Sequence, residues 1–204
     1  MWGDELRAIA QQGLEWSSDE PYHRHRYERV RRVAATLFAA ADVRSVNEIE
    51  RTVFRQLTHV APLPVGEAAI VDEDGRILLI RRSDNGLWAL PGGGFEVGET
   101  AAEGAEREAL EETGLVVQAT DLVGVWDSRL CESGSSLQLY HFVFLCRPVG
   151  DRHGGPTTPD EVLELDWFPA EQLPSLSPGH AVRIAGVFAF LTDRRTLFDT
   201  TQAR

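Results

Sequence analysis

The chain has no lysine: all twenty of its basic residues are arginine, which reads as a coding bias and not as a site. It has two cysteines, Cys131 and Cys146, with no CxxC or other metal-type spacing, so neither a disulfide framework nor a cysteine metal centre is expected. Cys146 sits in an apolar run where a small buried side chain is the simpler reading. No run of eighteen apolar residues occurs, and the opening MWGDELRAIA lacks a basic, then apolar, layout. The expectation is a soluble cytoplasmic protein with no membrane partner. Positive charge is also scarce where it would count: residues 1–60 hold nine arginines and nine acids, while residues 61–204 carry the whole net charge of −12. That balance argues against duplex nucleic acid as a partner, because such binding needs basic surface. It leaves room for a phosphate ligand if divalent ions mask the acids locally.

What is present centres on residues 93–115, GGFEVGETAAEGAEREALEETGL. Glu108, Glu111 and Glu112 stand at i, i+3 and i+4, and so share one face of a helix. Like charges at that spacing repel, so the pattern points to a cation. Carboxylate oxygens are hard ligands that suit Mg2+ or Mn2+, and those ions bind phosphate in turn. Thr100 with Glu103 reads as a capping box and Gly114 as a left-handed stop, which predicts a helix over 101–113. Ala101, Ala105, Ala109 and Leu110 are expected on the face opposite the acids. Pro91 to Gly94 and Gly98 form a glycine-rich approach to a helix N-terminus, where N–H groups can meet an anion.

This segment resembles the signature of the Nudix hydrolases. Gly93, Glu99, Arg107, Glu108, Ala109, Leu110, Glu111, Glu112, Gly114 and Leu115 fall at its positions, with Ala109 smaller than the usual aliphatic. The resemblance implies an α+β fold, an α/β/α sandwich around a mixed sheet. It implies that Glu108, Glu111 and Glu112 hold Mg2+ or Mn2+ with support from Glu99, and that Arg107 orients a nearby glutamate. It also implies that the backbone of Gly92, Gly93 and Gly94 contacts metal or phosphate. Glu112 can serve as general base while it binds metal. Family members often place another glutamate before the last strand; Glu161 is the first candidate, Glu164 the second and Glu132 the third.

Residues 1–60 read as a small helical subdomain ahead of the Nudix domain at 65–204. Trp2, Leu6, Ile9, Ala10 and Leu14 recur at helical period in a first helix ending near Gly13. Asp19, Glu20 and Pro21 open a second, running to about Ala41, with Tyr27, Val30, Ala34, Leu37 and Phe38 inward. Ser45 with Glu48 caps a third, with Val46, Ile49, Val53 and Leu57 inward. The cluster His23, Arg24, His25, Arg26, Arg29, Arg31 and Arg32 reads as a solvated charged face or as a surface for an acidic partner. These helices are similar to the domain that precedes Nudix domains in nucleoside-diphosphate-X hydrolases, bacterial CDP-choline pyrophosphatase among them. So small a subdomain buries little surface alone, and a homodimer is expected.

Ala61 to Pro64 reads as a linker. GEAAIVDEDGRILLIRR then reads as a hairpin turning at Asp74-Gly75, with strands near 66–72 and 76–82. Arg81 and Arg82 point to opposite faces; the resemblance implies that one approaches the substrate, and Arg81 is the candidate. Trp88 is expected to pack under the glycine loop. Strands are expected over 115–125, 137–147 and 162–168, with polar loops at 127–136 and 148–159 and a turn at 170–173. A last helix near 180–191 would bury Val182, Ala185, Val187, Phe188 and Leu191.

The substrate is less legible. The proline that ADP-ribose hydrolases of the family tend to carry beyond the box is replaced by Cys131. The tyrosine of dinucleoside-polyphosphate hydrolases would fall at Glu132 or Ser133. The N-terminal resemblance implies a small-molecule substrate, a nucleoside diphosphate linked to a second moiety X (CDP-choline or ADP-ribose type), cleaved to nucleoside monophosphate and X-phosphate. The alternatives are a Nudix hydrolase of nucleoside triphosphates or RNA ends, and a non-catalytic ligand sensor.

Overall fold

The computed structural model describes residues 2–16, 21–40, 44–51, 62–133, 139–150, 154–156, 158 and 160–200. The expected roles of Asp19, Glu20, Ala41, Val53, Leu57, Ala61 and Leu137, and parts of the two polar loops (134–136, 151–153, 157, 159), lie outside them, as does the side chain of Trp2. The chain forms two compact units, Met1–Ala61 with Glu96–Gly98, and Pro62–Phe95 with Glu99–Arg204.

The first unit holds helices α1 (Trp2–Trp16), α2 (Pro21–Ala39) and α3 (Val46–Arg51). Proline at the first position of α2 presets the helical φ and gives up an N–H with no partner there anyway. The Ser45/Glu48 box closes as expected, with the Ser45 N–H donating to Glu48 at 2.8 Å and the Glu48 N–H to Ser45 Oγ at 3.4 Å. Ala34, Ala35 and Ile49 are fully buried, with Leu6, Phe38 and Val46 packed on them. Two expectations fail here. Leu37 is exposed and Ala35 takes the inward place. Helix α1 runs on past Gly13, because that glycine serves packing and not termination: a Cβ there would overlap the Tyr27 ring of α2. Gly13→Ala would by itself favour the helix by about 1 kcal/mol, but overpacking costs about 1–3 kcal/mol. A lower unfolding temperature is therefore expected in a thermal melt; an increase would show that Tyr27 moves aside freely.

The second unit has strands β1 (Leu63–Ile70), β2 (Ile77–Arg82), β3 (Trp88–Ala89), β4 (Gly92–Gly94), β5 (Val117–Asp127), β6 (Leu139–Pro148), β7 (Val162–Phe168) and β8 (Leu197–Phe198). Helices α4 (Ala101–Thr113) and α5 (His180–Asp193) complete it, with a 3-10 turn at Ala170–Gln172. One mixed sheet runs β4-β1-β6-β5-β8 and a second, antiparallel one runs β3-β2-β7. Leu63 and Pro64 belong to β1 and not to a linker. Pro64 lies one residue outside the register with β4, near a strand start where a residue without an N–H is tolerated.

The expected β1–β2 hairpin does not form as a ladder. The turn is present, with Asp72 Oδ1 accepting the N–H groups of Asp74 and Arg76. However, β1 is paired with β4 on one side and in parallel with β6 on the other, so only the Val71–Ile77 bridge joins it to β2. β2 pairs with β3 and β7 instead.

Alternation along β1 buries both faces of the sheet. Ala68 and Ile70 pack with Ala109, Leu115, Val117 and Cys146 on the α4 side. Ala69 packs with Val143, Leu145, Ile184, Val187 and Phe190 on the α5 side. The result is the expected α+β layering around a mixed sheet. Burial also pushes the Cys146 thiol up to about 12, which makes it an inert core residue. Leu110 is exposed, as are Val182 and Ala185, while Arg183 and Ile184 turn inward on α5. That rotation has an electrostatic cause, the buried acid Glu67 on β1. Trp88 sets its ring edge against Phe168 at 4.9 Å, a core contact and not a base platform.

Candidate active site

Helix α4 is fixed by its ends. Thr100 accepts the Glu103 N–H at 3.2 Å, Glu103 accepts the Thr100 N–H at 2.7 Å, and Gly114 closes the helix at φ 71°. Ala105 and Ala109 seat it on the sheet with no side chain long enough to hold it off. The acids then face the glycine strand β4. The Gly92 N–H donates to Glu112 Oε2 at 2.7 Å, and a Cβ on Gly93 would meet the Glu108 carboxylate at 2.7–2.8 Å. Both glycines are thus required by close approach.

Arg107 ties the remaining acids together. Its Nε and Nη2 each donate to Glu99 at 3.1 Å, Nη1 donates to Glu108 at 2.9 Å and Glu111 at 3.1 Å, and Nη2 also donates to the Gly94 carbonyl at 2.9 Å. Five acceptors around one planar guanidinium make an arrangement that lysine could not copy. The structure therefore brings together Glu99, Arg107, Glu108, Glu111, Glu112 and Gly92–Gly94. Glu161 joins them from the turn before β7, close enough for its charge to act on Glu108 and Glu112. Glu164 pairs with Arg81 at 3.4 Å. Glu132 lies exposed in the loop after β5, with φ 56°. Arg81 also donates to the Gly86 carbonyl and does not line the cleft; Arg82 takes that position, held by Asp84 and within the field of Glu112 and Glu161.

The positive charge of Arg107 and Arg82 does not offset the burial of Glu108 and Glu112. Burial, with repulsion from Glu108 and Glu161, pushes Glu112 up to about 8 despite the Gly92 hydrogen bond. Burial also raises Glu108, against the pull of Arg107. Among the described residues no three acidic, histidine or cysteine side chains converge at ligating geometry: Glu99, Glu108 and Glu111 turn to Arg107, and Glu112 turns to Gly92. The donor set nonetheless fits a hard divalent cation, which would supply the charge that Glu108 and Glu112 lack.

Beside this cluster lies a cleft of about 410 Å3, walled by Glu67, Arg82, Asp84, Asn85, Gly92, Gly93, His141, Ser177, His180 and Arg183 among others. Its inner wall is not foreseen from the sequence. Arg183 of α5, 1% exposed, donates from Nε and Nη2 to the two oxygens of Glu67 on β1 at 2.7 and 2.8 Å. His141 Nδ1 lies 3.1 Å from Glu67 Oε1. His180 Nδ1 accepts the Leu90 N–H at 3.2 Å, and burial drives this ring down to about 3, so it is neutral. Burial alone would raise Glu67, but the Arg183 charge and the His141 hydrogen bond outweigh it, and the carboxyl is held well below its ordinary range. This pair is what turns Arg183 inward. A sequence signal existed: one acid in the apolar strand GEAAIV and one base in the apolar helix HAVRIAGV, opposite in sign.

A NUDIX domain model matches residues 63–189, and a model described as a UDP-X-like, N-terminal oligomerisation domain matches residues 1–53. The chain belongs to the Nudix family and is a hydrolase. Its two parts together resemble a crystal structure of UDP-X diphosphatase, at 28% identity over 97% of this chain and 96% of that one, with a TM-score of 0.64. The Bacillus subtilis (strain 168) protein YjhB, itself only provisionally described as an ADP-ribose pyrophosphatase, is 32% identical over 95% of this chain and 93% of its own. An ADP-ribose pyrophosphatase of Methanocaldococcus jannaschii is 36% identical over 54% of this chain and 64% of its own. Among the described residues no helix is long and apolar enough to cross a membrane.

Proposed function

We propose that this protein hydrolyses the phosphoric anhydride of a nucleoside diphosphate linked to a second group X, with Mg2+ or Mn2+ as cofactor, giving a nucleoside monophosphate and X-phosphate. The observation that carries the reading is the pair of desolvated carboxylates, Glu108 and Glu112, set against Gly92 and Gly93 beside a nucleotide-sized cleft. Glu108, Glu111 and Glu112, with Glu99, would hold the cation. The cation's contribution when bound is to neutralise phosphate charge and lower the pKa of water. Arg107 positions Glu99, Glu108 and Glu111. The Gly92–Gly94 backbone and Arg82 face the phosphates, and Glu161 accepts the proton of the attacking water.

The N-terminal match to a UDP-X-like domain favours a diphosphate-X substrate over a triphosphate. It also supports a homodimer built through the first unit; a monomeric mass by light scattering at micromolar protein would count against that assembly. The activity is tested by incubating the protein with a nucleotide panel and either metal, with and without added phosphatase. The proposed cleavage releases inorganic phosphate only when phosphatase is present. Release of pyrophosphate from triphosphates would overturn the substrate assignment, and no turnover would overturn the reaction. In the same assay Glu161→Gln is expected to lower kcat about a hundredfold, the low end for a general base; an unchanged kcat removes it from the mechanism.

A further inference from the structure

At the inner end of the cleft one polar atom is left without an answer. His141 is 6% exposed and lines the cleft. Its Nδ1 faces the Glu67 carboxylate, and an ionised carboxylate only accepts, so the Nδ1 proton is fixed by that bond. In the neutral ring Nε2 is then an acceptor. Nε2 is buried and has no hydrogen-bond partner among the described residues. Buried side-chain atoms in that state are uncommon, and one on the wall of a ligand cleft calls for a partner that arrives with the ligand.

The neighbours narrow what that partner can be. Glu67 and Arg183 neutralise each other through two short hydrogen bonds, and the third Arg183 nitrogen is turned to Cys131 Sγ at 3.3 Å. His180 gives its Nδ1 to the Leu90 N–H. Among the described residues the guanidinium at this end, Arg183, is thus committed to Glu67 and Cys131, and Glu112 of α4 is turned to the Gly92 N–H. What this end can seat is an uncharged polar group with a hydrogen to donate.

We propose that His141, held by Glu67, is a specificity residue whose Nε2 accepts a hydrogen bond from an N–H or O–H group of the nucleoside part of the substrate. This rests on the diphosphate-X reading and assigns the cleft's inner end to the base or ribose, with the phosphates at the glycine strand. Asparagine at 141 keeps a donor near the Nδ1 position and deletes Nε2, so the Glu67 contact survives while the acceptor is lost.

The test uses the full-length protein, its activating metal and the nucleoside diphosphate-X it turns over fastest. His141→Asn is expected to raise KM about tenfold, the effect of one neutral hydrogen bond, with kcat within about twofold. Wild type is also assayed on forms of that substrate lacking one donor each: 2′-deoxy, 3′-deoxy and N-methylated base. One of these should show the same KM rise on wild type and little further rise on His141→Asn, which identifies ribose or base as the source. An unchanged KM in the variant, or a loss confined to kcat, overturns the assignment. If the variant melts well below wild type, the wild-type series decides alone: no KM penalty for any donor-deleted substrate overturns it. Inactivity of wild type on every diphosphate-X would instead sink the underlying reaction.

Discussion

Replacing Glu112 with glutamine is expected to lower kcat by about a thousandfold or more, the several kcal/mol of transition-state charge stabilisation that goes with a lost metal ligand, while leaving the unfolding temperature at or above that of wild type. The two halves of that result have one cause. Glu112 is buried beside Glu108 and Glu161, and the Gly92 N–H and the Arg82 charge do not offset that burial, so without a cation its charge is a burden on the fold. Glutamine keeps the shape and an acceptor for that N–H but removes both the charge and the ligand. The same carboxyl gives the metal-free protein a pH signature. Its folded pKa of about 8 lies above the ordinary 4.5, so the folded state binds the extra proton and stability falls as pH rises from 4.5 through about 8. Melts in chelator should drop across pH 6.5–8, Mg2+ or Mn2+ should flatten the slope, and Glu112→Gln should abolish it. A chelated wild type with constant stability over that window would show that Glu112 is not the strained group.

Arg183→Met is expected to cost about 3–5 kcal/mol, the usual penalty for stranding one half of a buried ion pair. In a chain of this size that is a fall of roughly 10 °C in Tm. Methionine fills much of the volume, so the loss measures Glu67 left in an apolar wall and not a cavity. Adding Glu67→Gln should recover most of it, and a double variant as unstable as the single would locate the damage elsewhere. Acid acts on the same cluster. Glu67 is depressed, so the stability it contributes is present above the ordinary carboxylate value and lost as pH falls towards its folded pKa. His180 refuses a proton down to about 3 that the unfolded chain takes near 6.5, so it too weakens the fold as pH falls from 6.5.

How much of the molecule is legible in its sequence depends on the range of the forces involved. Helix α4 runs from Ala101 to Thr113 as its caps predict, because the Thr100 box and Gly114 stop act within four residues. The grouping of acids around Arg107 is nearly as local, with Glu99 eight positions away and Glu108 and Glu111 within four. The β1–β2 hairpin expectation fails because the ladders that compete for β1 come from β6, over seventy residues away, and from β4. Gly13 misleads for a similar reason: its constraint is a ring on another helix. The least visible part is the inner wall of the cleft. His141 and Arg183 stand 74 and 116 positions from Glu67, and the lone charges in GEAAIV and HAVRIAGV mark Glu67 and Arg183 as unusual without saying that they meet or that His141 joins them. Arg82 is open to either reading until the sheet face is known.

The antiparallel rung that pairs Glu67 with Gly92 joins the two halves of the site by a single backbone step. Glu67 anchors the histidine wall, and the Gly92 N–H anchors Glu112. A Cβ at Gly92 would strike the Gly66 carbonyl and the Glu67 Cα, so the rung cannot be widened by substitution there. Under the proposed reaction this makes the site a fixed calliper: one jaw meets the nucleoside, the other the bond to be cut, and the gap is set by peptide geometry. Such a gauge is strict about the number of phosphates between nucleoside and scissile bond and indifferent to the group beyond that bond. Variation in X would then be absorbed outside the jaws, by the loops, without recalibrating the chemistry.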